Sequence, residues 1–172
     1  VNRGQNLADD VTYSGTIAGA FEGSILGIRS IALSQAFRDP EHLFWETAEA
    51  HGAQTVRRLL DMDIDPSIVL NVNFPPCAPD DVKGIEVTRQ GKRDQSLVRV
   101  EERIDARNNP YYWLGFERIL SNPPQGTDLR AIYEGRISIT PLHMDLTHAR
   151  TSKAISAALG SLEGPLKKRK KS

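Results

Sequence analysis

Residues 30–76 switch twice between two hydrophobic periodicities, and that switching leaves few folds open. Ser30-Ile31-Ala32-Leu33-Ser34 is a short apolar run that suits a strand buried on both faces. From Pro40 to Leu60, apolar positions including Leu43, Phe44, Ala48, Val56, Leu59 and Leu60 recur at helical spacing, and Pro40 suits a helix start. Ile68–Phe74 then reads as a second strand, stopped by Pro75-Pro76. Strand, helix and strand with short connections predict a parallel sheet under a right-handed crossover. Upstream, Gly15 to about Leu26 reads as a helix with Gly27 near its C-terminal end.

The character changes after Pro76. Gly84–Val87 and Gln95–Val100 alternate as strands do, with Gly91-Lys92-Arg93 as a candidate turn between them. Tyr111-Tyr112-Trp113-Leu114-Gly115 adds an aromatic strand, which fits a single-chain core and an interface between subunits equally well. Gly126-Thr127-Asp128 opens a short helix, Arg136–Leu142 forms a last strand, and Thr151–Leu162 a final helix.

Composition narrows the function classes. Hydrophobic residues at 39% and 13 glycines approach the usual globular fraction, which argues against a wholly disordered chain. Lys+Arg and Asp+Glu are 22 each, so global charge does not point to nucleic acid or membrane as partner. Five of the positive charges sit in Lys167-Lys168-Arg169-Lys170-Lys171, a run that reads as a solvated end. No apolar run is long enough to span a bilayer, and no signal peptide is visible. Cys77 is the single cysteine, so neither a disulfide framework nor a cysteine zinc site is expected, and the expected location is the cytoplasm.

The chemistry-bearing residues gather at the start of the chain. Asn2 and Asn6 lie close to Ser14-Gly15-Thr16. An asparagine oxygen is a hard, neutral donor suited to Mg²⁺, Mn²⁺ or Ca²⁺. Ser-Gly-Thr ahead of a small, apolar run marks a helix start, whose free N–H groups and hydroxyls can hold an anion. On residue chemistry alone the alternative stays open: Ser14 caps the helix, and Asn2 and Asn6 shape a turn.

The run Val1-Asn2-Arg3-Gly4-Gln5-Asn6-Leu7-Ala8-Asp9-Asp10-Val11-Thr12-Tyr13-Ser14-Gly15-Thr16 resembles the "SGINxGxNLGDDVxYSGT" segment of the SurE survival-protein family of nucleotidases. The likeness continues through Ala20–Gly23, Gly27–Ser34, Leu70–Pro75, Gly84–Gly91, Tyr112–Gly115, Gly126–Asp128 and Ser138–Thr147. It implies an α/β fold: the back half of a Rossmann-like parallel sheet, with a β-hairpin extension and a C-terminal helical arm. On that reading residues 1–76 are the C-terminal half of the core, and 77–125 a hairpin extension used for oligomerisation. Residues 126–148 are a returning helix and strand, and 149–172 a terminal helix and basic tail.

The implied activity is metal-dependent hydrolysis of nucleoside 5′-monophosphates by a 5′-nucleotidase. Asn2 matches the family's metal-ligating asparagine, and Ser14, Gly15 and Thr16 match its phosphate-contacting loop. Asn6 is a further substrate-side candidate that orients this loop. The implied cofactor is a divalent cation, Mg or Mn, and the implied assembly a homodimer or homotetramer. Family members also carry an upstream Asn-Asp-Asp-Gly whose aspartates bind the metal, and a metal-binding serine. No residue here matches those, so the chain resembles the C-terminal portion of such an enzyme and no general base can be assigned. Asp9-Asp10 aligns downstream of the metal asparagine and reads as loop support. The alternative is a non-catalytic oligomerising or anion-binding fragment, because one asparagine cannot satisfy a cation that takes about six oxygens.

Other motifs lead nowhere catalytic. Asp61-Met62-Asp63-Ile64-Asp65 looks like a calcium loop, but Pro66 and Val72 stand where such a loop needs Gly and Glu. His143, Asp145 and His148 lack metal-ligand spacing, and His42 and His51 read as packed or surface residues of a helix. Ser14 lies in no Gly-x-Ser-x-Gly elbow, which argues against a serine hydrolase.

Overall fold

The computed structural model describes residues 1–93, 98–116 and 122–159. Residues 1–142 form one compact unit and 143–172 a second. In the first, β1 (Asn2–Arg3), β2 (Ser30–Gln35), β3 (Ile68–Phe74), β4 (Ile85–Val87) and β7 (Ile137–His143) form a sheet in the order β1-β2-β3-β7-β4. The pairings of β1 with β2, β2 with β3 and β4 with β7 are parallel. Helix α1 (Gly15–Ile25) precedes β2, α2 (Trp45–Leu60) joins β2 to β3, and α3 (Asp128–Tyr133) precedes β7. β5 (Val98–Ile104) and β6 (Pro110–Phe116) form a separate two-stranded antiparallel sheet among the described residues, from Val98 opposite Phe116 to Ile104 opposite Pro110. In the second unit α4 spans Ala149–Leu159.

The strand alternation in β3 sorts the core. Leu70, Val72 and Phe74 pack with Ala48 and Leu59 of α2 and with Ile137 and Ile139. Val69 points the other way, to Ile17 of α1, with Ala32 and Leu142. Helices therefore cover both faces of the sheet, the arrangement that a parallel sheet requires. Each such buried aliphatic or aromatic side chain contributes about 1.5–3 kcal/mol.

Local signals set the helix ends. The Ser14 hydroxyl accepts from the Ile17 N–H at 3.1 Å and caps α1. Gly27, at φ 75°, turns the chain out of α1 in the left-handed conformation that glycine tolerates. Thr127 caps α3 by accepting from the Arg130 N–H at 3.3 Å.

Two expectations are corrected. The helix expected from Pro40 begins at Trp45. Asp39 draws residues 39–42 into a turn, since its carboxylate accepts from the Glu41 N–H at 3.0 Å and its carbonyl from the His42 N–H at 3.2 Å. The Pro40 carbonyl is itself taken by the Arg3 guanidinium at 2.7 Å. The second correction concerns Gly91-Lys92-Arg93, which is not a hairpin turn. The strand before it joins the main sheet beside β7, and the hairpin closes at residues 105–109 instead. There the Asp105 carboxylate accepts from the N–H groups of Arg107 and Asn109, each at 2.8 Å, and Asn108 adopts φ 64°. Part of the expected strand 95–100, the end of the expected helix 151–162 and the basic run 167–171 lie outside the described residues.

Two glycines give opposite expectations. A Cβ on Gly91 would stand 2.7 Å from Asp128 Oδ1 and 3.3 Å from Leu129 Cδ1. Gly91→Ala is expected to destabilise by about 1–3 kcal/mol. A Cβ on Gly52, inside α2, would meet Phe74 Cζ at an ordinary 3.7 Å, so Gly52→Ala is expected to stabilise by about 0.5–1 kcal/mol. Denaturant midpoints of the two variants check both signs.

Candidate functional site

Asn2 opens the short strand β1 beside Ser34, and Thr16 lies in the first turn of α1. Both line one open cleft of ≈ 530 Å³, whose floor is formed by Ser30–Leu33 and whose side is formed by Gly19 and Ala20. The Asn2 amide nitrogen donates to the Gly4 carbonyl at 2.8 Å, which turns the amide while leaving its oxygen as an acceptor. At the helix start, Ile17 N–H bonds the Ser14 hydroxyl and Ala18 N–H the Ser14 carbonyl at 2.9 Å. The N–H groups of Gly15 and Thr16 have no partner among the described residues. Gly15 is exposed, and a Cβ there would meet nothing within 4 Å. Ser14 thus acts as the helix cap, while Gly15 and Thr16 offer donors at the positive end of the helix.

Asn6 lies elsewhere. It is buried, its N–H donates to Asn73 Oδ1 at 2.8 Å, and its side-chain amide donates to Ser34 Oγ at 2.8 Å. Its carbonyl accepts from Asn71 Nδ2 at 2.8 Å and Asn73 Nδ2 at 3.2 Å. The structure therefore brings Asn2 and Thr16 to one cleft, and turns Asn6 into the sheet as a tether of the loop.

A second tether holds residues 8–10. Asp128, fully buried, accepts from the N–H groups of Ala8 at 2.8 Å, Gly91 at 2.8 Å and Leu129 at 2.7 Å. Burial raises the Asp128 pKa, against those three N–H groups and the Arg93 charge, which lower it. Gln90 donates to the Ala8 carbonyl at 2.8 Å, and the Arg93 N–H donates to Asp9 Oδ2 at 2.8 Å. The Arg93 guanidinium pairs with the Asp10 carboxylate through Nε at 2.6 Å and through Nη2. Asp9 and Asp10 are thus committed to holding the loop. Among the described residues, no three His, Cys, Asp or Glu side chains come together as a possible metal group. One neutral amide oxygen cannot supply the six or more donors a hard divalent ion takes. The described residues do not, by themselves, fit a divalent-ion site.

The sequence reading missed Asn71, Asn73 and Asp128 as contributors. Asn71 and Asn73 had left a signal: two asparagines on one face of an otherwise apolar strand, where asparagine is disfavoured. Asp128 stood in the matched Gly126–Asp128 segment, but its role was not legible there, because two of its three donors lie 120 and 37 residues away in the chain. The remaining motifs are structural. Asp65 accepts from the Ser67 N–H at 2.8 Å, which lowers its pKa. In the second unit, His148 Nδ1 accepts from the Thr151 N–H at 3.3 Å at the start of α4. His51 contacts the Pro79 carbonyl at 3.1 Å. No helix among the described residues is long and apolar enough to cross a membrane.

A parallel sheet covered on both faces, with a strand end and a helix start opening on one cleft, defines the Rossmann-like α/β class. Within that class the chain belongs to the SurE family: residues 1–97 match the family model described as Survival protein SurE. It is 68% identical over 167 residues to the 5′-nucleotidase SurE of Parvibaculum lavamentivorans, covering 96% of this chain and 60% of that protein. It is 56% identical over 162 residues to the 5′-nucleotidase SurE of a Methylobacterium species, covering 93% of this chain and 64% of that one. Among solved structures it is similar to the SurE protein from Aquifex aeolicus, with a TM-score of 0.76 and 42% identity over 92% of this chain and 62% of that one. The chain thus spans about three fifths of the length of these relatives.

Proposed function

We propose that this chain is the larger part of a metal-dependent 5′-nucleotidase that hydrolyses nucleoside 5′-monophosphates to nucleoside and phosphate. The observation that carries the reading is the convergence of Asn2 and Thr16 on one cleft, beside the helix start at Gly15. The named activity of relatives at 68% and 56% identity supports it. In this reading the Gly15 and Thr16 N–H groups and the Thr16 hydroxyl bind phosphate oxygens, and Asn2 offers its amide oxygen to a Mg or Mn ion. The acidic ligands come from the part of the protein that the relatives carry beyond this chain. When bound, the ion stabilises charge on the phosphoryl group. A cytoplasmic location belongs to the same reading, supported by the single cysteine.

The test is turnover of nucleoside monophosphates by the full-length protein with and without added divalent metal. Undiminished turnover after exhaustive chelation would sink the metal-dependent reading. No turnover under any metal would favour the second reading, a non-catalytic oligomerising or anion-binding protein, which the lack of an acidic cluster among the described residues supports.

The phosphate role of the helix start can be separated from its cap role. Gly15→Val adds its side chain to open space, so the fold should tolerate it while phosphate approach is crowded. Thr16→Ala removes a donor worth about 0.5–1.5 kcal/mol. Both variants are expected to raise the inhibition constant of inorganic phosphate, by about 3–10-fold for Thr16→Ala. Unchanged inhibition in both would return this segment to helix capping alone.

Assembly as a homodimer or homotetramer is part of the proposal. A lone two-stranded hairpin is marginal in water, and this one leaves Tyr112 67%, Trp113 53%, Val100 59% and Ile104 66% exposed. In the second unit α4 exposes Ile155 and Leu159 by 52% and 55%. Specific interfaces bury roughly 1,200–2,000 Å², and exposed apolar side chains such as these can supply part of that area. Sedimentation of the full-length protein is expected to show a dimer or tetramer, and a monomer across micromolar concentrations would refute it. Deleting Lys167–Lys171 should leave assembly intact, because that run has no apolar surface to bury.

A further inference from the structure

The registers of β1, β2 and β3 place Asn2, Ser34 and Asn73 in one row across the sheet. Residues level with one another in neighbouring parallel strands present their side chains on the same face. Above this row sits Asn6, in the connection that runs from Asn2 to Ser14. Asn73 grips both edges of the Asn6 backbone, accepting from its N–H at 2.8 Å and donating to its carbonyl at 3.2 Å. Asn71 donates to the same carbonyl at 2.8 Å, and its own oxygen accepts from Asn73 at 3.1 Å. Ser34 Oγ receives the Asn6 side-chain amide at 2.8 Å. Ser34, Asn71 and Asn73 are all fully buried.

Asparagine in the middle of a buried strand is a poor choice for sheet stability alone. Its burial is tolerated here because each amide is bonded, and all these bonds except the one from Asn73 to Asn71 converge on Asn6. A fully satisfied side-chain network of this kind selects one loop conformation. The other face of β3 carries Val72 and Phe74, which pack with Ala48 and Leu59 of α2 in the core.

We propose that Asn73, assisted by Ser34, is a positioning residue: it fixes the loop so that Asn2 and Thr16 reach the cleft in a single geometry. The proposal rests on the nucleotidase reading. Asn73 touches no substrate in it, and acts through Asn6.

The test compares Asn73→Ala, Ser34→Ala and Val72→Ala in the full-length protein. Kinetics with a nucleoside monophosphate, a Mn²⁺ activation titration, thermal midpoints and hydrogen exchange at the Asn6 N–H are measured for each. Partners that orient a ligating group typically matter by 10–100-fold. Asn73→Ala is expected to lower kcat, or raise the Mn²⁺ concentration for half-activation, by at least about tenfold, with KM changed less than about threefold. Faster exchange at the Asn6 N–H accompanies the loss. Ser34→Ala, which keeps the backbone bonds of Asn6, is expected to show the same kinetic pattern at smaller size and with little change in midpoint. Val72→Ala, a cavity in the core on the opposite face, is expected to lower the midpoint while leaving kcat within about twofold.

If Val72→Ala reduces kcat as much as Asn73→Ala does at a matched loss of midpoint, Asn73 is merely structural and the proposal is overturned. An Asn73→Ala protein that does not fold leaves Ser34→Ala as the judge: unchanged kcat and Mn²⁺ activation there would overturn the proposal. A wild-type protein without turnover would instead take down the nucleotidase reading and this inference with it, so the two failures are distinguishable.

Discussion

Asp128→Ala is expected to destabilise the protein by about 3–5 kcal/mol, a large share of the 5–15 kcal/mol typical of a native domain. The reason is geometric. The carboxylate accepts from Ala8, Gly91 and Leu129, and its removal strands the buried Ala8 and Leu129 N–H groups and the partly buried one of Gly91. Each buried donor left unpaired costs about 1–3 kcal/mol, less whatever local water entry recovers. Ala8 sits at φ 53°, a conformation its side chain does not favour, so the loop should relax once the bond to Asp128 is gone. Asp128→Asn is no rescue, because it places an NH₂ group where N–H donors converge.

A pH signature accompanies this. Burial raises the folded-state pKa of Asp128 above its unfolded value. Between those two values the native state binds more protons than the unfolded one, so the contribution of this carboxyl falls as pH rises through the window just above the ordinary aspartate value. Chemical denaturation of wild type and Asp128→Ala across that range should show a stability difference, wild type minus variant, that falls as pH rises. A midpoint unchanged by Asp128→Ala would show that the carboxylate does not hold the loop.

On the metal-dependent nucleotidase reading proposed above, Asn2→Ala is expected to cut turnover of the full-length protein by at least about 100-fold and to weaken its metal activation. Stability should hardly change. Asn2 makes one described side-chain bond, to Gly4, worth about 0.5–1.5 kcal/mol. It stands on a two-residue strand at the end of the sheet order, away from the hydrophobic core. Asn2→Asp is the informative companion, because it keeps an oxygen in place and adds a charge that a divalent ion favours. It should retain metal activation far better than alanine does. If metal titration and turnover were both unchanged in Asn2→Ala, the assignment of Asn2 as a metal-facing residue would be wrong.

The contrast between these two residues tracks what could be read in advance. The cap role of Ser14 and the helix start at Gly15-Thr16 were legible because their chemistry is local: a hydroxyl one step before a helix and a glycine without side chain. The strands 30–35 and 68–74 and the cap of α1 were legible for the same reason, since a periodicity or a cap is written within a few neighbouring residues. The start of α2 was misplaced by five residues because an aspartate turn competed with proline for the same segment.

Partner choice between distant segments was not written locally. Alternation in 84–87 marks a strand but cannot say whether it pairs with the next strand in sequence or with β7. Gly91 looked like a turn because glycine is permissive, whereas it is small because the Asp128 carboxylate closes on its backbone. The inward role of Asn6 likewise depends on Asn71 and Asn73, more than sixty residues later in the chain. From sequence alone came the α/β class and, apart from the start of α2, the strands and helices of residues 15–74. Tertiary structure alone supplied the sheet order, the hairpin pairing and the two clamps on the loop, because hydrogen bonds to a buried peptide depend on where the chain returns in space, and no periodicity encodes that return.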